Sequence, residues 1–174
     1  RTVCFNKPQK RIKNIFTRVF KGHIAVATND LNKINKGHLI DKKARASLNK
    51  IKLDYGHGTG HGVGFFSNVH EGPQAISKFN SIQLKEGMIV SNEPGYYEEG
   101  KFGIRIENLI YIEKVKNKLK FKNLTMAPID KDLIDEKLLT TKEKNYLFKY
   151  NLEIYKNISS FLNKKEKDWL LNSI

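Results

Sequence analysis

The chain has 174 residues, of which 39% are hydrophobic and 29% are charged, and its formal net charge is +14. These values are typical of one folded globular domain and exclude an intrinsically disordered chain, and no apolar run is long enough to span a bilayer. The single cysteine, Cys4, cannot form an internal disulfide, so we expect a reducing, cytoplasmic location.

Two helices are expected in the first third of the chain. Apolar residues recur at helical spacing over Pro8–Thr28, and Pro8 suits a first helical turn. A second helix is predicted for Asp41–Lys52, with Asp41 as its N-cap. The first five residues, RTVCF, include residue types common in strands, and we expect them to form the end of a strand.

The middle of the chain has a different character, because ten of the twelve glycines fall between residues 56 and 103. Strands are predicted at Met88–Glu93, Phe102–Val115 and 124–129, which are rich in β-branched and aromatic residues. A helix is predicted from Thr140 onward. This order predicts an α+β fold in which Met88–Glu93 and Phe102–Val115 pair antiparallel in one curved sheet, with the first two helices on its outer face.

The positive charge is unevenly distributed along these elements. Residues 1–52 carry a net charge of +12 and residues 114–174 carry +6, whereas residues 53–113 carry −4. The excess is mostly lysine, and the sequence has no arginine-rich stripe or recognised nucleic-acid motif. We therefore expect a solvated lysine surface with neither a nucleic-acid nor a membrane partner. A basic nucleic-acid binder is the alternative, and salt-dependent binding would reveal it.

Three of the five histidines lie in residues 56–73, GHGTGHGVGFFSNVHEGP. The alternating glycines disfavour a helix, and in an extended segment His57 and His61 lie on one face roughly 13 Å apart. They are therefore not expected to bind the same metal ion unless the chain bends between them. One can be a metal ligand while the other meets a substrate.

Two carboxylates follow in strand-like segments. Glu93 precedes a Pro-Gly turn, and in GIRIEN strict alternation places Arg105 and Glu107 on one face and the two isoleucines on the other. One imidazole and two carboxylates suit Mn²⁺, Zn²⁺, Co²⁺ or Fe²⁺. Each feature alone has an ordinary structural explanation, but their coincidence in the one acidic part of a basic chain favours a functional site.

Three stretches carry a family resemblance: HGTGHGVGFFSNVHEGP, LKEGMIVSNEPGYYEEGKFGIRIENLIYIEK and KGHIAVA. They closely resemble the Xaa-Pro aminopeptidases (aminopeptidase P), which are pita-bread metallopeptidases like prolidase and methionine aminopeptidase. The resemblance implies that residues 1–174 are the C-terminal part of one catalytic domain, with 124–174 as a C-terminal extension. The implied fold is a partial pita-bread (creatinase/aminopeptidase) fold, a curved antiparallel sheet flanked by helices that lacks the upstream strands.

The resemblance also implies a metal site. The family's histidine ligand falls on His61 and its two glutamate ligands fall on Glu93 and Glu107, of which Glu93 also serves as general base. The family site holds two divalent ions, for which Mn²⁺ is expected and Zn²⁺ or Co²⁺ are alternatives, and it uses two further aspartates upstream. The sequence begins at Arg1, just after the family position of the second aspartate. We therefore expect a processed product or a piece of a longer protein, which by itself binds at most one ion.

Four further residues receive roles from the resemblance. His70 matches the histidine that contacts the substrate and either stabilises the tetrahedral intermediate or shuttles protons, and His57 matches a histidine that lines the substrate pocket. Tyr97 and Arg105 match a supporting polar relay near the metals, so His70, Tyr97 and Arg105 are expected to be catalytic.

The implied activity is metal-dependent removal of the N-terminal residue from peptides with proline in second position. The expected partners are such a peptide, the N-terminal part of the same enzyme and a second copy in a homodimer. The alternatives are a prolidase-type dipeptidase and an inactive remnant or binding module of the same fold, and metal content separates active from inactive forms. Without upstream strands the isolated chain is expected to be marginally stable or to self-associate.

Overall fold

The structure, a computed structural model, describes residues 1–174 except for the side chain of Ser67. Within the described residues the chain forms four α-helices, which are Lys10–Ala27 (α1), Gly37–Asn49 (α2), Thr141–Ile158 (α3) and Lys164–Ser173 (α4). The same residues form seven strands, which are Gly60–His61 (β1), Ala75–Ile76 (β2), Ile89–Asn92 (β3), Gly95–Glu98 (β4), Phe102–Arg105 (β5), Asn108–Val115 (β6) and Lys118–Asn123 (β7). The predicted α+β class is confirmed.

The chain divides into two compact units, one of residues 18–125 and one of residues 1–17 with 126–174. In the first unit β6 is the central strand of a three-stranded antiparallel sheet, with β3 on one side and β7 on the other. Strands β4 and β5 form a hairpin, and β1 pairs with β2. Lys116 and Asn117, both at positive φ, make the two-residue turn between β6 and β7, which is the turn geometry that suits the twist of a hairpin.

Helix α2 packs on the sheet because its apolar residues recur on one face. Ile40 and Ala44 are buried together with Val90 of β3 and Ile110 and Ile112 of β6. Both of the first two helices are predicted to cover this sheet, and the last turn of α1 contributes to the same buried cluster.

The predicted strand Phe102–Val115 is wrong as a single element. It is interrupted at Ile106 and Glu107, since β5 pairs with β4 whereas β6 pairs with β3. Pro94 has no N–H to continue the ladder of β3, and its carbonyl instead accepts a hydrogen bond from Ile106 N–H at 3.2 Å. The change of strand partner therefore occurs where Glu93 and Glu107 lie.

Three further boundary predictions are wrong. Helix α2 begins at Gly37, so Asp41 lies inside the helix instead of capping it. Residues 1–5 form no strand, and residues 124–129 lie outside β7. The turn at Lys116 and Asn117 sets the register of β7 on β6, and after one more hydrogen bond, from Leu124 N–H to the Leu109 carbonyl, the chain leaves the sheet.

The unit of residues 1–17 and 126–174 is built from α3, α4 and the two ends of the chain. Thr140 and Glu143 form a capping box at the start of α3, each side chain accepting from the backbone N–H of the other residue. Tyr150 and Ile154 are the buried residues of this helix. None of the helices in the described part of the chain combines the length and the apolar character needed to cross a membrane.

Candidate metal centre

A close approach between β1 and β3 positions His61. A Cβ built on Gly60 would overlap the carbonyl oxygen of Ser91, so only glycine allows β1 to lie against β3 at this point. The backbone N–H of His61 donates to the Ser91 hydroxyl at 2.9 Å. The glycine pattern of the segment thus has a local structural reason, which is to bring the His61 imidazole beside β3.

The tautomer of His61 follows from its contacts. Its Nδ1 lies 3.0 Å from the carbonyl oxygen of Gly62, which can only accept, so Nδ1 carries the proton. Its Nε2 lone pair then points toward Oε1 of Glu93 at 3.3 Å. Two lone pairs that face each other at this distance repel unless a proton or a cation lies between them.

Glu93 is held at the end of β3 by bonds on both its backbone and its side chain. It is 8% exposed, its N–H donates to the Thr59 carbonyl at 2.7 Å, and its Oε1 accepts from the buried Ser91 hydroxyl at 2.8 Å. Its Oε2 lies 3.6 Å from a guanidinium nitrogen of Arg105. The carboxylate is therefore oriented before any ligand arrives.

Glu107 completes a group of three potential metal ligands. One ligand atom from each of His61, Glu93 and Glu107 lies within 4.8 Å of the others. Two ligands about 2.0–2.1 Å from a tetrahedral ion are roughly 3.3–3.4 Å apart, which matches the Nε2–Oε1 distance of 3.3 Å. The donor set and this spacing fit a divalent ion, and Glu107 offers a carboxylate oxygen within 4.8 Å of both of the other ligand atoms.

A chain of hydrogen bonds leads away from these carboxylates. Arg105 donates from Nε to the Tyr97 hydroxyl at 2.6 Å, and that hydroxyl lies 3.1 Å from Nε2 of His57. His57 Nδ1 faces the Gly58 carbonyl oxygen at 2.7 Å, so Nδ1 holds the proton and Tyr97 donates to Nε2. Burial lowers the pKa of the Arg105 guanidinium, but its contacts with Tyr97 and the two glutamates outweigh burial and raise that pKa above its ordinary value.

His70, the third histidine of the segment, packs against His61, the second, and is the more exposed of the two. The ring centroids of His61 and His70 are 4.2 Å apart with an interplanar angle of 69°, and His70 is exposed. The side chain of His70 is therefore available to a molecule that approaches the three ligands.

A buried arginine supports the segment that carries His57. Arg45 of α2 donates to Asp41 Oδ2 and to Asp54 Oδ1, both at 2.7 Å, and to the carbonyls of Tyr55 and His57 at 2.8 and 2.6 Å. Burial lowers the pKa of Arg45, but its hydrogen bonds with the two aspartates outweigh this and raise it. Burial likewise raises the pKa of Asp54, but hydrogen bonds, with that from Arg45 first, hold it below its ordinary value.

All seven residues singled out in the sequence lie in one connected group. The structure brings together the three candidate ligands, places His70 against His61, and links the other three by hydrogen bonds, namely His57, Tyr97 and Arg105. Sequence reasoning missed Ser91, Asp41 and Arg45. The i, i+4 spacing of Asp41 and Arg45 on the buried side of a predicted helix was the signal that could have found the latter two.

Two family models match the chain. The model for metallopeptidase family M24 matches residues 1–114, and the model for the C-terminal region of peptidase M24 matches residues 117–174. Between them they cover the whole chain apart from two residues, so both units of the structure have counterparts in that family.

Relatives with similar sequences are longer than this chain. A probable Xaa-Pro aminopeptidase P of Coprinopsis cinerea is 46% identical over 98% of the chain and 29% of its own length. Aminopeptidase P2 of Arabidopsis thaliana is 45% identical over 99% of the chain and 26% of its own length. The chain thus spans less than a third of the curated relatives it matches.

Solved structures agree with this similarity. The X-prolyl aminopeptidase of Caenorhabditis elegans, a cytosolic enzyme with a di-nuclear active site, superimposes with a TM-score of 0.90 at 36% identity, covering 99% of this chain and 30% of its own. A prolidase from Thermococcus sibiricus gives a TM-score of 0.58 at 33% identity and covers 70% of this chain and 32% of its own.

Proposed function

This chain belongs to metallopeptidase family M24, and on that premise we propose that it contributes the histidine and both glutamate ligands to the metal centre of a Xaa-Pro aminopeptidase. The observation that carries the proposal is the meeting of His61, Glu93 and Glu107 within 4.8 Å, from three separate segments of the chain. The reaction is hydrolysis of the first peptide bond of a peptide with proline in second position.

These three residues would hold a divalent ion, and Mn²⁺ is the ion we propose because two carboxylates and one imidazole suit it. The bound metal supplies Lewis-acid activation of a peptide carbonyl and of water. The di-nuclear site of the worm enzyme supports a second ion in the complete protein. Three clustered ligands can hold one ion but give too little negative charge for two neighbouring cations.

The remaining residues orient groups and hold protons. Glu93 Oε1 is engaged by Ser91, so Oε2 is the oxygen that accepts a proton from the attacking water, while Arg105 at 3.6 Å balances its charge. The Tyr97 hydroxyl donates to His57 and accepts from Arg105, and this orients the His57 imidazole toward the substrate pocket.

His70 is proposed to contact the substrate. It is exposed and packs edge-on against His61, within reach of a peptide whose scissile carbonyl lies over the ligands. Its side chain donates a hydrogen bond to that carbonyl oxygen as negative charge develops there in the tetrahedral transition state.

The aminopeptidase is favoured over a prolidase by the extent of the similarity. The two relatives described above and the worm enzyme, which match 98–99% of the chain, are all named aminopeptidases, whereas the Thermococcus prolidase matches 70%. An X-Pro aminopeptidase of Thermotoga maritima also matches only 72%, so the full-length match supports the larger aminopeptidases in particular. Residues 124–174 are proposed to be the C-terminal extension that distinguishes the larger aminopeptidases. The description of the worm enzyme as cytosolic supports a cytoplasmic location.

The first experiment measures Mn²⁺ binding to the 174-residue chain by isothermal titration calorimetry. We expect one site, lost in His61→Ala and in Glu107→Ala and retained in Glu99→Ala, a matched change at an exposed glutamate. Equal binding by the chain and its His61→Ala variant would refute the metal centre.

The second experiment tests the reaction in a chimera. This chain replaces the equivalent 30% of the C. elegans enzyme, whose structure it matches over nearly its whole length. The chimera should release the N-terminal residue from a Xaa-Pro tripeptide, and its His70→Ala variant should lose most turnover and keep its metal. Cleavage of Xaa-Pro dipeptides but not of longer peptides would support the prolidase instead.

A further inference from the structure

His23 is a buried polar residue near the candidate ligands, and the proposed reaction gives it no role. His23 lies in the KGHIAVA stretch of α1 and is fully buried. A buried imidazole is costly unless its nitrogens are hydrogen-bonded, so its contacts should reveal why a histidine occupies this position.

Those contacts lead to both segments that carry a glutamate. His23 Nδ1 lies 3.2 Å from the carbonyl oxygen of Ile106, and because a carbonyl only accepts, Nδ1 holds the proton and donates it. The backbone carbonyl of His23 accepts from Nδ2 of Asn92 at 3.0 Å. Ile106 immediately precedes Glu107, and Asn92 immediately precedes Glu93.

Glu93 and Glu107 lie between two strand ladders and are not paired with each other in either one. The β3–β6 ladder ends at the pair Asn92↔Asn108, and the β4–β5 ladder ends at Gly95↔Arg105. Glu93 and Glu107 fall between these pairs, in a break bridged by the hydrogen bond from Ile106 N–H to Pro94. The peptide unit that joins Ile106 to Glu107 uses its oxygen to bind His23.

We propose that His23 is a positioning residue that sets the separation of the Glu93 and Glu107 carboxylates. It ties the peptide unit before Glu107 and the side chain before Glu93 to one rigid turn of α1. Metal affinity depends steeply on ligand placement, and groups that orient ligands from outside the coordination sphere typically change affinity about 10–100-fold when removed. This inference rests on the proposed metal centre.

Two substitutions of His23 separate positioning from packing. His23→Leu keeps much of the side-chain volume but has no donor, whereas His23→Asn loses volume and keeps an N–H at the position of Nδ1. If His23 only fills space, Leu is the milder change. If it positions the carboxylates, His23→Leu weakens Mn²⁺ binding about tenfold and His23→Asn retains most of the affinity.

His38 of α2 provides the matched control. Its Nδ1 also faces a backbone carbonyl, that of Asn80 at 3.1 Å, but neither residue adjoins a candidate ligand. His38→Leu should leave Mn²⁺ affinity unchanged. Binding is measured by calorimetry on the 174-residue chain, at a temperature where circular dichroism shows each variant to be fully folded.

The visible absorption of bound Co²⁺ is a second readout, because its bands report the coordination geometry. His23→Leu should alter this spectrum, and His23→Asn should preserve it. If His23→Leu does not fold, Asn92→Leu cuts the other end of the link without burying a charge, and it should weaken Mn²⁺ binding in the same way.

The outcomes distinguish this inference from the metal centre on which it rests. If His61→Ala binds Mn²⁺ as the unaltered chain does, the metal centre itself is refuted. If His61→Ala loses binding but His23→Leu matches the unaltered chain in affinity and Co²⁺ spectrum, the metal centre stands and the positioning role is overturned. Asn92→Leu takes the place of His23→Leu in this comparison if that variant does not fold. Weaker binding by His23→Asn than by His23→Leu also overturns the positioning role.

Discussion

Replacing Arg45 with methionine should destabilise the protein strongly, because the guanidinium neutralises a buried carboxylate. The side chains of Arg45 and Asp41 are 4% and 2% exposed, and Nε lies 2.7 Å from Oδ2. Methionine keeps most of the aliphatic stem, so the change removes the charge and its donors with little loss of packing. It leaves the Asp41 carboxylate buried, with a hydrogen bond from the Thr59 hydroxyl at 2.7 Å but no cation beside it among the described residues.

The expected loss is about 3–5 kcal/mol in the free energy of unfolding, which is the cost of leaving one member of a buried ion pair uncompensated. The carbonyls of Tyr55 and His57 lose a donor as well, but losses on one side chain are not additive, so the range is not extended. For a chain of this size the loss lowers the melting temperature by roughly 6–20 °C.

Urea denaturation followed by circular dichroism measures this loss. Lys101→Met is the matched control, because the Lys101 side chain is 68% exposed and its pair with the partly buried Glu98 should contribute no more than about 1 kcal/mol. Adding Asp41→Asn to Arg45→Met should recover part of the loss, since the uncompensated charge is then removed. A loss below about 1 kcal/mol for Arg45→Met would refute the view that this ion pair supports the segment carrying His57.

Three further predictions concern individual contacts, and a fourth concerns self-association. Ser91→Ala removes the hydroxyl that joins His61 N–H to the Glu93 carboxylate and should weaken Mn²⁺ binding about 10–100-fold in calorimetry, while Ser91→Thr, which keeps the hydroxyl, should bind more tightly than the alanine variant. Gly60→Ala should abolish Mn²⁺ binding by pushing β1 from β3, and unchanged binding would contradict that close approach. The pKa of Asp54 is lowered in the folded state, so its stabilisation is complete above its ordinary value of 3.8 and is lost as the pH falls through the lowered pKa. Asp54→Asn should therefore flatten the acid side of a plot of unfolding free energy against pH. A curve parallel to that of the unaltered chain would speak against the contacts of Asp54 with Arg45 and with Lys78, whose Nζ donates to Asp54 Oδ2 at 3.0 Å. Finally, sedimentation should show whether the chain self-associates as expected from its sequence, and a monomer with a sharp, concentration-independent unfolding transition would contradict that expectation.

The sequence alone was sufficient for the features that depend on short stretches of chain. Helical spacing predicted α1 to within two residues at its start and one at its end. Strict alternation in GIRIEN predicted that Ile104 and Ile106 would be buried on one side, away from Arg105 and Glu107, which holds although the strand itself ends at Arg105. Such patterns are readable because the periods of helices and strands determine which residues share a face.

The family resemblance extended this to the candidate ligands, since its motifs are contiguous stretches that hold the residues in order. Those motifs indicate His61, Glu93 and Glu107 as candidate ligands, and the structure brings these three together. The spacing of His57 and His61, by contrast, predicted only that they lie on one face of an extended segment, well separated. It did not predict that hydrogen bonds through Tyr97 and Arg105 connect His57 to the carboxylates.

Only the tertiary structure decided how the strands pair around the glutamates. The stretch 102–115 has uniform strand composition, and nothing within it indicates that the partner changes from β4 to β3 at Ile106 and Glu107. Pairing partners are set by segments distant in sequence, here including a proline that cannot continue a ladder.

The same holds for the buried polar residues. Aspartate is a residue type that favours the N-cap position, which is why Asp41 is predicted there. In the structure its carboxylate is neutralised by Arg45 and accepts a hydrogen bond from Thr59, 18 residues away. The sequence contains no sign that Ser91 differs from any other strand residue, because its role depends on β1 lying against it. His23 likewise forms its contacts only because α1 packs against the break between the β3–β6 and β4–β5 ladders. The hydrogen-bond partner of a buried group is determined by which distant segment reaches it, because burial removes the water that would otherwise serve.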